Sequence, residues 1–192
     1  MKRLAILTVA ALLLLAGCAP DKPTTEPPVT SPETGQTGEQ QPVQEISKVK
    51  LNEKFLGELA TNEIQGFPIA IGASKDEIMK KYGAVTETNF YEGGEYHAFE
   101  KLDQALLFFD GKERLYAIDI GSKYLSTTDS QNLKKAVGKP DYDGMDDSTG
   151  GYTITYQAGD NSVFISAADD KSPVEKIRII NKKMIEEAPQ EL

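Results

Sequence analysis

The sequence has no tryptophan, one histidine and one cysteine in 192 residues. A single cysteine excludes an intramolecular disulfide, and one cysteine with one histidine cannot complete an ordinary Cys/His zinc site. Any catalytic triad or imidazole acid–base site has to use His97, because there is no other. Basic charge is also scarce. The 21 Lys+Arg face 30 Asp+Glu, a net charge of −9, and nucleic acid is excluded as the main partner because a polyanion needs a cationic surface. The length leaves room for one domain, or two very small ones.

The first eighteen residues carry an address. Lys2 and Arg3 precede an apolar run from Leu4 to Leu15, which is too short for an ordinary membrane span and reads as a secretory signal over 1–17. Its end, Leu15-Ala16-Gly17-Cys18, resembles the bacterial lipobox. The resemblance implies cleavage before Cys18 and a diacylglycerol on its sulfur, so that Cys18 is the lipidation site and the partner is a membrane. Two acyl chains, at about 0.8 kcal/mol per buried CH₂, hold a protein stably where one does not. The expected location is the extracytoplasmic face of a bacterial cell membrane. Ala19 stands where an Asp often marks inner-membrane retention.

From Cys18 to Ser47 the composition changes to Pro, Thr, Ser, Gln, Gly and Glu, and six of the ten prolines fall here. With almost nothing to bury, residues 18–47 are expected to form a disordered tether. Roughly thirty residues at about 3.1 Å each could reach on the order of 90 Å if fully extended as polyproline. Without Lys2 and Arg3, 19 bases face 30 acids, or −11; from Lys48 onward 18 bases face 25 acids, or −7.

Residues 48–185 read as globular, with a tail at 186–192. Leu51, Phe55, Leu56 and Leu59 share one face of a helix predicted over about 50–64. Ser74 with Glu77 is a capping box opening a short helix that stops at Gly83. Strands follow at Thr86–Tyr91, Glu95–Lys101, Ala105–Phe109 and Arg114–Ile120. Gly93-Gly94 and Asp110-Gly111-Lys112-Glu113 supply the hairpin turns, and His97 is placed opposite Phe90. The pattern then recurs. Asp129 to Gly138 aligns without gaps on Ser74 to Gly83, and strands at Tyr152–Gln157, Ser162–Ala167 and Val174–Asn181 follow at similar offsets. The expected fold is α+β, built from two tandem helix-plus-antiparallel-sheet units at about 66–121 and 122–181.

Phe67, Ile71-Gly72-Ala73-Ser74, Ile78, Tyr82-Gly83 and Gly138-Lys139-Pro140 resemble the recurring pattern of BLIP-like domains, named from the β-lactamase inhibitory protein and including the BamE/SmpA lipoproteins. With the lipobox and tether included, the chain resembles the YjgB-like lipoproteins of spore-forming Gram-positive bacteria over about Leu51 to Asn181. The resemblance implies a BLIP-like tandem fold and a domain with no assigned function. Ala84-Val85 follow Gly83 where a Pro would be expected, and no inhibitory activity carries over.

Candidate chemistry is sparse. His97, two residues before Phe99 in a strand, reads as a packed structural residue. Asp141, Asp143, Asp146 and Asp147 around Gly144 form a weak candidate Ca²⁺ loop, since that ion takes six to eight oxygens. The twelfth position from Asp141 is Tyr152 and not Glu, and the plainer reading is an acidic loop leading into a strand. Gly93-Gly94 and Gly150-Gly151 lack the setting of a phosphate loop. Eight tyrosines favour an interface. No catalytic residue, resident metal or cofactor other than the lipid is expected. The chain reads as a non-catalytic binding module for a protein, peptide or cell-envelope component. The alternative is an envelope hydrolase using a carboxylate pair.

Overall fold

Ser74 and Asp129 each begin an eight-residue helix by accepting a backbone N–H three residues on, from Glu77 at 3.3 Å and from Asn132 at 2.8 Å. Glu77 returns the bond to Ser74 N–H at 3.2 Å, completing the capping box. Both helices stop at a glycine in the left-handed region, Gly83 at φ 88° and Gly138 at φ 113°, where a β-carbon would be strained. They are α2 (Lys75–Tyr82) and α3 (Ser130–Val137), flanked along the chain by α1 (Phe55–Leu59) and α4 (Lys182–Glu187). The computed structural model describes residues 46–91, 94–148 and 150–190, all within the unit Gln40–Leu192. The signal, Cys18 and the tether as far as residue 45 lie outside the described residues.

After α2 come β1 (Val85–Tyr91), β2 (Gly94–Phe99), β3 (Ala105–Phe109) and β4 (Leu115–Gly121); after α3 come β5 (Tyr142–Asp146), β6 (Gly151–Ala158), β7 (Asn161–Ala167) and β8 (Val174–Asn181). They form one antiparallel sheet in the order β1-β2-β3-β4-β8-β7-β6-β5. The two meanders therefore meet through their last strands, with Ile118 opposite Ile179 and Ile120 opposite Ile177. One face of this seam is entirely apolar: Leu107, Ile118, Ile179 and Val163 lie in register and are fully buried. Phe55 and Leu59 of α1, Ile78 and Tyr82 of α2, and Leu133 and Val137 of α3 belong to the same core. Each such side chain contributes roughly 1.5–3 kcal/mol by leaving water.

Several boundaries differ from the sequence reading. The helix expected over about 50–64 is only five residues long. Lys54 provides no side-chain cap, Gly57 weakens the middle, and Asn62 at φ 70° turns the chain away. Ile64, Phe67, Ile69 and Ile71 then enter the core from a stretch of turns. The domain starts before Lys48: Ile46 packs on the core and Ser47 Oγ donates to Gly66 O at 2.7 Å. The tail assigned to 186–192 begins later, because α4 runs to Glu187, Ala188 is buried and Gln190 is hydrogen-bonded to β2 and β3.

Strand β5 occupies the stretch read as an acidic loop. Tyr91 pairs with Gly94, so the β1–β2 turn sits one residue earlier than one centred on Gly93-Gly94. His97 consequently lies opposite Thr88, and Phe90 opposite Glu95.

Candidate functional site

Two surfaces gather chemistry: the sheet face away from the apolar seam, and a cleft at the β2 side of the helix-facing layer. On the first, register aligns Tyr142, Thr155, Phe164, Arg178, Asp119 and Leu106 across six strands. The row beside it runs Ser162, Ile180, Ala117, Phe108, Tyr96 and Asn89. Tyr91 lies two residues beyond Asn89 and shares its face. In a flat sheet the four strand steps from β1 to β8 would hold Tyr91 about 19 Å from Arg178. Its ring centre lies 5.0 Å from the guanidinium, and its hydroxyl accepts from Lys176 Nζ at 2.8 Å. The β1–β2 hairpin therefore curls over the sheet.

Two features permit that curl. Tyr116 is an extra residue in β4, between Phe108↔Ala117 and Phe109↔Leu115, and such a bulge bends its strand. Gly94 passes so close to the sheet that a β-carbon there would lie 2.6 Å from the Tyr116 hydroxyl. Arg178 is thereby held between two rings, Tyr91 at 5.0 Å and Phe108 at 5.1 Å. Its Nε and Nη2 donate to Asp119 Oδ1 and Oδ2 at 2.5 and 2.7 Å, and both residues are buried. Burial pushes the Tyr116 phenol above its ordinary value, against the pull of the Arg178 charge.

Beyond Arg178 the face stays open. Phe164, Thr155, Ser162 and Ser166 are half-buried, and Tyr142 on edge strand β5 is 46% exposed. Tyr91 stands over β8, and β5 lies three strand steps away, about 14 Å. The result is a trough between two tyrosines with a floor of one phenylalanine and several hydroxyls.

The second surface is a cleft of about 300 Å³ lined by Lys75, Phe90, Glu95, His97, Phe109, Asp110, Gly111, Glu113 and Gln190. His97 is buried, with its ring centre 5.4 Å from that of Phe109. Thr88 Oγ1 lies 3.1 Å from Nδ1, and Glu95 Oε1 lies 3.2 Å from Nε2. This set fits a neutral ring that accepts from Thr88 and donates to Glu95. Lys75 Nζ is 3.5 Å from Nε2. Burial first, and the Lys75 cation second, hold His97 below its ordinary value of 6.5, outweighing the opposing pull of Glu95 and Glu113.

A depressed histidine has a definite sign in stability. As pH falls below 6.5 the unfolded chain takes up a proton that the folded one refuses, so folded stability declines. Urea unfolding at about pH 7 and about pH 5.5 should show a smaller decline for His97→Gln than for the unchanged protein. Equal declines would refute this account of the ring.

The candidate Ca²⁺ residues do not converge. Asp141 Oδ2 accepts from Gln157 N at 2.7 Å, Asp143 accepts from Lys134 Nζ at 2.8 Å and from the Tyr152 hydroxyl, and Asp146 Oδ1 accepts from Ser148 N at 2.9 Å. Asp147 is exposed. Strand alternation puts Asp143 and Asp146 on opposite faces of β5. Among the described residues no group of three or more His, Cys, Asp or Glu has metal-binding spacing. Burial, with the charges of Asp143 and Asp141, pushes the Tyr156 phenol up to about 12.

No family model matches the chain, and no characterised protein sequence does. Solved structures similar to it include a DUF4309 family protein (YjgB) from Bacillus subtilis subsp. subtilis str. 168, with a TM-score of 0.47 and 11% identity, covering 67% of this chain and 94% of that one. A cysteine-rich secretory protein (SAV1118) from Staphylococcus aureus subsp. aureus Mu50 gives 0.41 and 11%, covering 60% and 44%. An extracellular protein containing a SCP domain from Bacillus anthracis str. Ames gives 0.44 and 10%, covering 60% and 45%. The chain spans less than half the length of these last two.

Proposed function

We propose that this chain is a lipid-anchored, extracytoplasmic binding protein of the bacterial cell envelope, with no catalytic activity of its own. In this reading Cys18 carries a diacylglycerol, residues 19–45 space the domain from the membrane, and the domain is a tandem BLIP-like pair of the YjgB type. The α2–β4 and α3–β8 segments are the two units, joined at β4 and β8. The partner is another protein, engaged through a single segment lying in the trough.

The trough carries this reading. A spacing of about 14 Å between the strand axes that carry the rims, less the thickness of the two rings, suits one extended segment. Its aromatic rims match the composition of binding surfaces, in which tyrosine serves as anchor. The cleft lends less support to hydrolysis by a carboxylate pair. Asp110 is fully buried and committed to Arg114 Nη2 at 2.7 Å, Arg114 N and Lys112 N, and Glu95 is engaged by His97.

The test is a photo-reactive amino acid at position 142, compared with one at Lys135 on the outer face of α3. A discrete protein adduct on intact cells is expected from position 142 alone, and Phe164→Glu in the trough floor should abolish it. Adducts indifferent to Phe164, or identical from both positions, would overturn the proposal.

A further inference from the structure

The cleft around His97 holds two opposite charges that have no ion-pair partner among the described residues. Lys75, the first residue of α2, is half-buried, and its ammonium faces the edge of the imidazole and the ring of Phe109, 5.7 Å from its centre. Among the described residues it has no carboxylate partner. Glu113 opens from the β3–β4 turn at φ 58°, and its carboxylate likewise has no cation or hydrogen-bond donor among them. Its backbone is engaged, since Lys75 N donates to Glu113 O at 2.9 Å, and this bond ties the two bearers of charge to one another across the cleft. The other charged groups facing the ring are satisfied: Glu95 by His97, and Asp110 by Arg114.

An unpaired ammonium in a half-buried position has lost water without gaining an anion, so a carboxylate brought to it gains a charge-assisted bond at reduced desolvation cost. Glu113 at the rim is exposed and keeps its water, so its contact with a cation is the weaker of the two. Between them Phe109 forms an apolar floor, and Phe90, 60% exposed, stands at the mouth.

We infer that this cleft binds a small zwitterion, a free amino acid or the ends of a short peptide, with its carboxylate on Lys75 and its ammonium on Glu113. About 300 Å³ accommodates a dipeptide and little more. The Phe90 and Phe109 rings receive its side chain, and the Glu95–His97–Thr88 chain holds the wall rigid. This site lies on the helix-facing side of the sheet and does not depend on the trough or on its partner.

Because His97 is the only histidine, its imidazole gives a single pair of ¹⁵N signals in the full chain. The probe is alanyl-alanine, compared with N-acetyl-alanyl-alanine, which lacks the ammonium, and alanyl-alanine amide, which lacks the carboxylate. Alanyl-alanine should shift the His97 signals saturably with a Kd in the millimolar range; the amide should bind about tenfold or more weakly, and the N-acetyl analogue should be weakened by a smaller factor, about two- to fivefold. Neutralising Lys75 with a carboxylate also relieves its pressure on the ring, an effect larger than the loss of the Glu113 pull, so the His97 pKa should rise with alanyl-alanine and should not rise with the amide, whose ammonium only offsets Glu113. Lys75→Met should abolish the response, and Glu113→Gln, an exposed change, should weaken it with folding intact. No shift at tens of millimolar alanyl-alanine, or equal shifts from all three compounds, would overturn the assignment.

Discussion

Arg178→Met is expected to destabilise the domain by about 3–5 kcal/mol, the range for removing one partner of a buried ion pair. Asp119 is 5% exposed, and its two oxygens accept from Arg178 Nε and Nη2. Losing the guanidinium leaves a buried carboxylate whose remaining cation, Lys176, stands 3.5 Å away. The same change removes the surface on which Tyr91 stacks, so the hairpin loses its hold on the sheet. Asp119→Leu combined with Arg178→Met removes both charges and should recover most of the loss. Urea denaturation of the four proteins closes the cycle. A single variant costing under about 1 kcal/mol would show that the pair is dispensable and that the curl is held elsewhere.

Cys18→Ser is expected to move the protein from the membrane fraction into the medium. In the proposed reading Cys18 is the site of the thioether-linked diacylglycerol, and the variant has no thiol to carry it. Two buried acyl chains separate stable anchoring from free diffusion, so the change should be nearly complete. Fractionation of cells making either form measures it, with incorporation of labelled palmitate as the chemical check. A Cys18→Ser protein that stays with the membrane and takes up label would refute lipidation at this residue.

The helices α2 and α3 were legible because their signals are local: a cap, a partner three residues on, and a terminal glycine. Strands β3 and β8 were legible because they are buried and their apolar residues say so. Strand β5 was not. Tyr142 to Asp146 is exposed or half-exposed on both faces, so its sequence carries no alternation, and it is a strand only because β6 offers it a ladder. The ends of α1 were missed for the opposite reason: its stripe of leucines is real, but Asn62 breaks the helix while burial continues.

The cleft was invisible for a topological reason. Lys75, Thr88, Glu95, Phe109, Glu113 and Gln190 come from six separate stretches, and His97 meets Thr88 only if the hairpin register is known. Sequence alone placed His97 among aromatics, and Phe109 fulfils that. The trough was half-legible. Eight tyrosines suggested an interface, but strand alternation cannot tell Tyr116, which is covered by the hairpin, from Tyr142, which is not.

The strand order has a consequence for the order in which the chain can be completed. Strands β1 to β4 appear early along the chain, yet the long edge of β4, with Ile118 and Ile120 fully buried in the finished domain, finds its neighbour only when Val174–Asn181 has been made. Until then a nascent chain presents an unpaired, largely apolar strand edge that also carries the unmatched Asp119, which is the kind of surface that recruits foreign strands. Shielding that edge during synthesis or passage across a membrane falls to whatever holds the growing chain. A chain interrupted anywhere before residue 174 loses the middle of its sheet and not merely its end.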